Sequence, residues 1–344
     1  MIVITGAASP LGRRVCERAA RDPHVQRVVA VDRRPIHRAP DAVTTIRADL
    51  ATADVKPMLE GATTVVHLAQ CTGADAEASG SAVGDSQLAR RVLEAASAVG
   101  AEHLVILSSA AAYGAWANNP VPLTEDAPLR PNPGVALAAE KAEVERMAAE
   151  WRDAHPNATV AILRPTVTVS AERNGWLAKA LARPPALPVA DSEPPAQFLD
   201  VDDLAAAVDL ARRDRLDGPR NVAPDGWIDG ATVRALAGAP PTVRLPERAA
   251  VAVARIGWRW GLAPTPPALL PLTAHPWVVA NDRLRADGWS PSASNEEAYV
   301  GAHRAGPWAT MSPGRRQGIA LGVAAAGLVG AVAGAVALLR RRGS

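Results

Sequence analysis

The 344-residue sequence contains only two cysteines, Cys16 and Cys71, which excludes a disulfide-built scaffold and a thiolate-rich metal centre. It also lacks an excess of either charge. Lys plus Arg number 37 against 35 for Asp plus Glu, and a net charge of +2 leaves no electrostatic footprint for nucleic acid as the main partner. The seven histidines do not cluster, and no His-Glu-x-x-His spacing occurs, so no metal site is expected. No Gly-x-Ser-x-Gly turn is present, which argues against a hydrolase triad. Besides nine tryptophans the aromatic residues are Tyr113, Tyr299 and Phe198 alone. Of the basic residues only Lys56, Lys141 and Lys179 are lysines. With so few candidates, chemistry that needs a tyrosine or a lysine can be checked position by position.

What remains is a well-supplied globular chain. Hydrophobic residues make up 48% and charged residues 21%, so the chain as a whole is not disordered, and its length suits one large α/β domain with an elaborated lobe. Apolar, β-branched runs at 2–5, 27–31, 43–46, 64–68, 103–107 and 159–163 read as strands. Amphipathic stretches at 11–21, 87–99 and 138–153 read as helices. This alternation predicts a doubly wound parallel sheet with helices on both faces. After about residue 165 prolines accumulate, as in Pro184-Pro185, Pro194-Pro195, Pro240-Pro241 and Pro266-Pro267. The expected organisation is a dinucleotide-binding domain over 1–165, interleaved sheet completion and a small substrate lobe over 166–304, and a linker over 305–317.

The first strand runs into Thr5-Gly6-Ala7-Ala8-Ser9-Pro10-Leu11-Gly12 and then a helix. A tight turn at Gly6 followed by a helix N-terminus presents unpaired N–H groups and the positive dipole end to a pyrophosphate, and Gly12 lets the helix lie close to the strand. The middle position of this G-x-x-G-x-x-G-like loop is Ser9, whose hydroxyl either bonds a phosphate or crowds it. Twenty residues after Gly12, Asp32 ends the second strand, where a carboxylate accepts hydrogen bonds from an adenosine ribose. It repels a 2′-phosphate and so favours NAD over NADP, whereas Arg33 and Arg34 beside it could grip that phosphate.

These pieces, with others in order, make residues 1 to about 300 resemble the extended short-chain dehydrogenase/reductase family, the NAD-dependent epimerase/dehydratase-like proteins. Ala48-Asp49-Leu50 is similar to the family's adenine-contacting segment, and Val65-Val66-His67-Leu68-Ala69 to its fourth strand. Leu107-Ser108-Ser109-Ala110-Ala111-Ala112-Tyr113-Gly114 resembles its active-site strand, and Leu163-Arg164-Pro165, the segment from Gln197 to Leu204 and Gly218-Pro219-Arg220-Asn221-Val222 its later motifs. The resemblance implies a Rossmann-like α/β fold and NAD or NADP as cofactor. The implied cofactor contacts are Gly6, Ser9, Pro10, Leu11, Gly12, Asp32, Arg33, Asp49, Leu50, Leu68, Ala69, Lys141 and Pro165.

The implied catalytic residues are incomplete. In that family a Tyr four residues before a Lys, one helical turn away, is the general acid/base. The Lys lowers its pKa and holds the nicotinamide ribose, and a Ser or Thr orients the reacting oxygen. Ser109 and Lys141 match the Ser and the Lys, but Leu137 stands where the Tyr belongs. The residues four before Lys56 and Lys179 are Thr52 and Gly175, so no Tyr-x-x-x-Lys exists in the chain. Three readings follow. Catalysis is lost and a binding, sensing or scaffolding protein remains. Alternatively another group near Ser109 replaces the Tyr: Tyr113, Glu140 or a water held by Lys141. In the third reading a bound substrate supplies its own proton-transfer group. An active protein would be an NAD(P)-dependent oxidoreductase or epimerase on a nucleotide sugar or a sterol-like alcohol, with a non-standard acid/base. The Leu favours the first. Asp202 and Asp203 are expected to serve as caps of the helix they open.

The far end of the chain differs. Residues 318–339 are 22 positions without a charge, bracketed by Arg315-Arg316 and Arg340-Arg341-Arg342. At about 1.5 Å per residue a helix there spans about 33 Å, the thickness of a bilayer core. It is expected to be a single membrane-spanning anchor, and the first strand's start at the second residue leads to a cytoplasmic globular part. Gly318, Gly322, Ala326, Gly330 and Gly334 form a small-xxx-small stripe that would serve a homodimer. Trp258, Trp260, Arg255 and Arg259 suit either a membrane-surface contact or a lid over the substrate cleft. The apolar stretch 245–262 carries Glu247, Arg248, Arg255 and Arg259 and is not a second span.

Overall fold

A computed structural model describes residues 1–37, 39–71, 84–181, 189, 193–239, 245–260, 266–303, 312 and 314–315. The 318–339 run, its small-residue stripe and nearly all of the expected linker lie outside the described residues. Among the described residues no helix is long and apolar enough to cross a membrane.

The six strands read from the sequence all form, with their ends moved by a residue or two. They are β1 (Ile2–Thr5), β2 (Val28–Asp32), β3 (Val43–Arg47), β4 (Thr64–His67), β5 (His103–Leu107) and β6 (Thr159–Pro165). With β9 (Gly218–Val222) they make a seven-stranded parallel sheet in the order β3-β2-β1-β4-β5-β6-β9. The order reverses at β1, which pairs β2 on one side and β4 on the other, so Thr5 lies between Val31 and His67. At such a reversal the loops after the strands diverge and leave a crevice.

Helices cover both faces. On one face α1 (Pro10–Arg21) and α6 (Val201–Arg213) bury Leu11, Val15, Leu204 and Val208 against the sheet. On the other, α2 (Lys56–Leu59), α3 (Asp85–Val99) and α4 (Ala136–Ala154) bury Leu59, Val92, Met147 and Trp151. The outer turns of α1 and α3 follow from their sequences. Ser9 caps α1 with Pro10 at its first position, and Gly100, at φ +70°, ends α3 in the left-handed conformation.

A third core lies beyond the carboxyl ends of the strands, where Tyr113, Phe198, Leu269, Trp277 and Tyr299 pack together. It is assembled from a two-stranded parallel sheet, β7 (Val167–Val169) with β8 (Phe198–Asp200), and the helices α5 (Trp176–Leu181), α7 (Gly230–Leu236), α9 (Leu270–Ala274) and α11 (Asn295–Ala302), whereas α10 (Asp282–Ala286) buries Leu284 in the core under α1 and α6. The amphipathic helix α8 (Glu247–Arg259) closes this side, its Ala250 packed with Val189 and Ala274. The start of α6 differs in detail from the expectation. Asp200 caps it by accepting from Asp202 N–H at 2.7 Å. Asp202 pairs with Arg14 at 2.6 Å, while buried Asp203 accepts from Ser292 and Ala293 and ties the chain's late segment to the sheet.

Candidate active site

The crevice at the sheet reversal is shaped by two glycines. Gly6 has φ +74°, and a Cβ on it would lie 2.7 Å from the backbone of Leu68 and Ala69. A Cβ on Gly12 would lie 2.6 Å from Ala7 Cα, so only glycine lets α1 approach the loop this closely. Leu68 and Ala69 N–H groups donate to Thr5, to its carbonyl at 3.2 Å and its Oγ1 at 3.4 Å. The hydroxyl of Ser9 is used within the loop: it donates to Gly6 O at 2.8 Å and accepts from Gly12 N–H at 2.9 Å. Leu11 N–H has no partner among the described residues and stands at the positive end of α1.

Asp32 is 7% exposed and faces this loop. Its Oδ2 accepts from Ala8 N–H at 2.9 Å and its Oδ1 from Arg34 N–H at 2.8 Å, with the Arg34 guanidinium 3.5 Å away. Arg33 is exposed, and its carbonyl accepts from Arg47 Nε at 3.2 Å. Asp49 is exposed and accepts from Ala51 N–H at 2.9 Å, whereas Leu50 is buried and its carbonyl takes a bond from Arg91. The turn, the open helix end and the acidic strand end therefore converge at one crevice, as a dinucleotide site requires.

Behind the loop lies a buried ionic cluster. Lys141, on α4, places Nζ 2.9 Å from Asp85 Oδ2 and donates to Leu107 O at 3.2 Å, and both charged side chains are at most 3% exposed. Asp85 opens α3 and accepts from Cys71 N–H at 2.6 Å. His67, at the end of β4, contacts Thr5 Oγ1 at 2.8 Å through Nδ1. Burial, with the charge of Lys141 adding to it, pulls the His67 pKa down to about 4, so this imidazole is neutral. Burial and the neighbouring Asp85 push the Cys71 thiol up to about 12. Glu140, the residue just before Lys141, accepts from Ser86 N–H at 2.8 Å in the first turn of α3.

Leu137 is buried one helical turn before Lys141. Ser109 ends the active-site-like strand segment, 7% exposed, and accepts from Ala111 N–H at 3.2 Å. The Tyr113 hydroxyl is engaged elsewhere. It donates to Asn221 Oδ1 at 2.9 Å and accepts from Arg164 Nη1 at 2.6 Å. Arg164 is itself clamped by both oxygens of Glu145, which also takes the Ser108 hydroxyl. Burial pushes the Tyr113 phenol up to about 12, against the opposing charge of Arg164, so near pH 7 it holds its proton tightly. Tyr113 thus belongs to a satisfied internal network joining β5, α4, β6 and β9.

Beyond Pro165 a cleft of about 870 Å³, open solvent included, enters the third core. Val167, Phe198, Val233, Leu272 and Trp277 line it, together with Thr166. Arg234 and Glu193 are the charged residues of that described lining, and the Gln197 amide is used on the backbone of Gly226 and Val279.

Comparison with known proteins accounts for this arrangement. The model of the family described as NAD dependent epimerase/dehydratase matches residues 2–223. The chain belongs to that family. Among solved structures it is similar to MoeE5 in complex with UDP-glucose and NAD, with a TM-score of 0.65 and 20% identity over 88% of this chain and 96% of that one. It is similar to the UDP-glucose 4-epimerase of Thermus thermophilus in complex with NAD, at TM-score 0.62 and 21% identity over 88% and 97% of the two chains. A third likeness is the dTDP-glucose 4,6-dehydratase DesIV of Streptomyces venezuelae, a double mutant with NAD bound, at TM-score 0.65 and 18% identity over 88% and 95%. These likenesses establish the fold. No curated protein matches the sequence.

Two buried acids, Asp85 beside Lys141 and Glu145 beside Arg164, are not singled out by the sequence reading. Asp85 has no motif around it that announces a partner for Lys141. Glu145 left a weak signal, because it follows Lys141 by four residues and so shares its helix face.

Proposed function

We propose that this family member binds NAD in the crevice at β1 and has lost the hydride chemistry of a Tyr-x-x-x-Lys site, acting as a binding or sensing protein held at a membrane by residues 318–339. The observation that carries the loss is the surroundings of Lys141. Leu137 supplies no proton at the Tyr position, and the Lys141 ammonium is held by Asp85 and Leu107 inside the protein. An ammonium engaged by Asp85 and the Leu107 carbonyl has fewer donors left for a nicotinamide ribose or a reacting oxygen. The other proton carriers nearby, Tyr113 and Glu140, are committed to internal hydrogen bonds.

The crevice fits the cofactor. Leu11 N–H and the α1 terminus would meet the pyrophosphate, Asp32 the adenosine ribose, and Leu68 and Ala69 the edge of the crevice beside Gly6. Bound NAD would supply a hydride acceptor. This chain's residues would bind and position it. The ligand cleft, mainly apolar in its described lining, favours a ligand with an apolar body over a nucleotide sugar.

The test is a turnover screen with nucleotide sugars and sterol-like alcohols, read both at the nicotinamide absorbance band and by chromatography of the products, because an epimerisation or dehydration returns the hydride within each cycle and leaves that band unchanged. The wild-type chain is expected to show neither an absorbance change nor a converted substrate beyond the uncatalysed rate. Turnover that disappears in both Ser109→Ala and Lys141→Ala would instead establish a working site. Leu137→Tyr alone is expected to stay silent, because Asp85 still holds the Lys141 ammonium, and Leu137→Tyr with Asp85→Asn is the combination expected to recover activity.

A further inference from the structure

Helix α8 presents an outer face that the rest of the described molecule leaves uncovered. Val253 is 41%, Ile256 59% and Trp260 73% exposed, and at a spacing of three and four residues they lie on one side with Ala249 and Ala252. Successive helical residues turn by about 100°, which sets Arg248, Arg255 and Arg259 together along the edge of that apolar strip. All three arginines are exposed, and none has an ion-pair partner among the described residues. Trp258, 44% exposed, lies on the far side of the arginine row. The only acid of the helix, Glu247, sits at its start, 3.8 Å from His275.

An exposed apolar strip bordered by unpaired arginines and tryptophans has the composition of a helix that lies in the headgroup layer of an anionic membrane. A protein partner would need acidic groups matched to three arginines, whereas an anionic lipid surface supplies them at any register. Chain connectivity points the same way. The described body of the small lobe ends at His303, and residues 304–317, up to about 46 Å when extended, separate it from the uncharged 318–339 run. That length lets α8 and a spanning anchor touch one bilayer surface.

We infer that α8 is an interfacial helix docking the small lobe onto an anionic lipid surface. The geometry of this docking rests on reading 318–339 as an anchor, but α8 carries its own charge and apolar area.

The test uses the full chain with a polarity-sensitive maleimide fluorophore on Ile256→Cys. Cys16 is buried, and a Cys71→Ser background removes the other, partly exposed thiol. In phosphatidylglycerol vesicles the emission is expected to shift to the blue and aqueous iodide quenching to fall, with neither change in phosphatidylcholine vesicles or in detergent. Replacing Arg248, Arg255 and Arg259 by Gln should weaken this transfer about fivefold per charge, about 100-fold in all. An unshifted spectrum in anionic vesicles overturns the inference. So does a shift of equal size in detergent, which would show the tail or a second copy covering the helix. Vesicle flotation in high salt reports the anchor separately. Salt-resistant flotation with an unshifted fluorophore leaves the anchor standing and sinks α8. Release by salt with a shifted fluorophore does the reverse.

Discussion

Lys141→Met is expected to lower the unfolding free energy by about 3–5 kcal/mol, the usual cost of removing one partner from a buried ion pair. The methionine fills the space of the lysine stem, so the loss is electrostatic. Asp85, 1% exposed and held by Cys71 N–H, would then be a buried carboxyl group with no ammonium to balance it. Asp85→Asn in the same chain should recover most of that stability, because neither charge is then left alone. Denaturant titration of the single and double variants measures the coupling. A lysine kept only for chemistry would show the opposite pattern, with unaltered stability in Lys141→Met. A loss below about 1 kcal/mol would therefore remove the argument that Asp85 holds Lys141 in the folded core.

Acidification from pH 7 to pH 5 should cost about 4 kcal/mol through two histidines. His67 and His103 both have pKa values pulled from 6.5 to about 4, in each case chiefly by burial. His103 is fixed as the neutral tautomer. Its Nε2 donates to Ala211 O at 3.0 Å, which leaves Nδ1 to accept from Thr159 Oγ1 at 2.7 Å. Below pH 6.5 the unfolded chain takes up these protons and the folded chain does not, so stability is whole above about pH 6.5 and falls as the pH drops toward 4. Each histidine contributes about 1.4 kcal/mol per pH unit in that window. Denaturant midpoints across this range measure the slope. His103→Gln is expected to remove about half of it, and a wild-type profile flat from pH 7 to pH 5 would contradict the burial of both imidazoles.

Much of the nucleotide crevice was legible before any coordinates, because its determinants are local. Gly6, Gly12 and Asp32 lie within one strand-turn-helix-strand unit, and the hydrophobic pattern of β1 and β2 sets their register. Ser9 is a partial case. The sequence marked it as unusual, and the fold resolves the choice by using its hydroxyl as the α1 cap. The ionic cluster was not legible, since Asp85 and Lys141 are joined only by the packing of α3 on α4 across the sheet's face. No periodicity fixes which helix start meets which lysine. The same holds for Tyr113, whose partners Asn221 and Arg164 come from β9 and β6. Sequence spacing identified the residues as family-like, and only the strand order shows that the phenol points into a satisfied network.

A nucleotide site kept while its acid/base partner is gone is tested most directly by calorimetric titration of the full chain with NADH. One NADH is expected to bind per chain, and Gly12→Val should abolish the heat, since its Cβ would sit 2.6 Å from Ala7 Cα. A folded wild-type chain that takes up neither NADH nor NADPH would contradict the account.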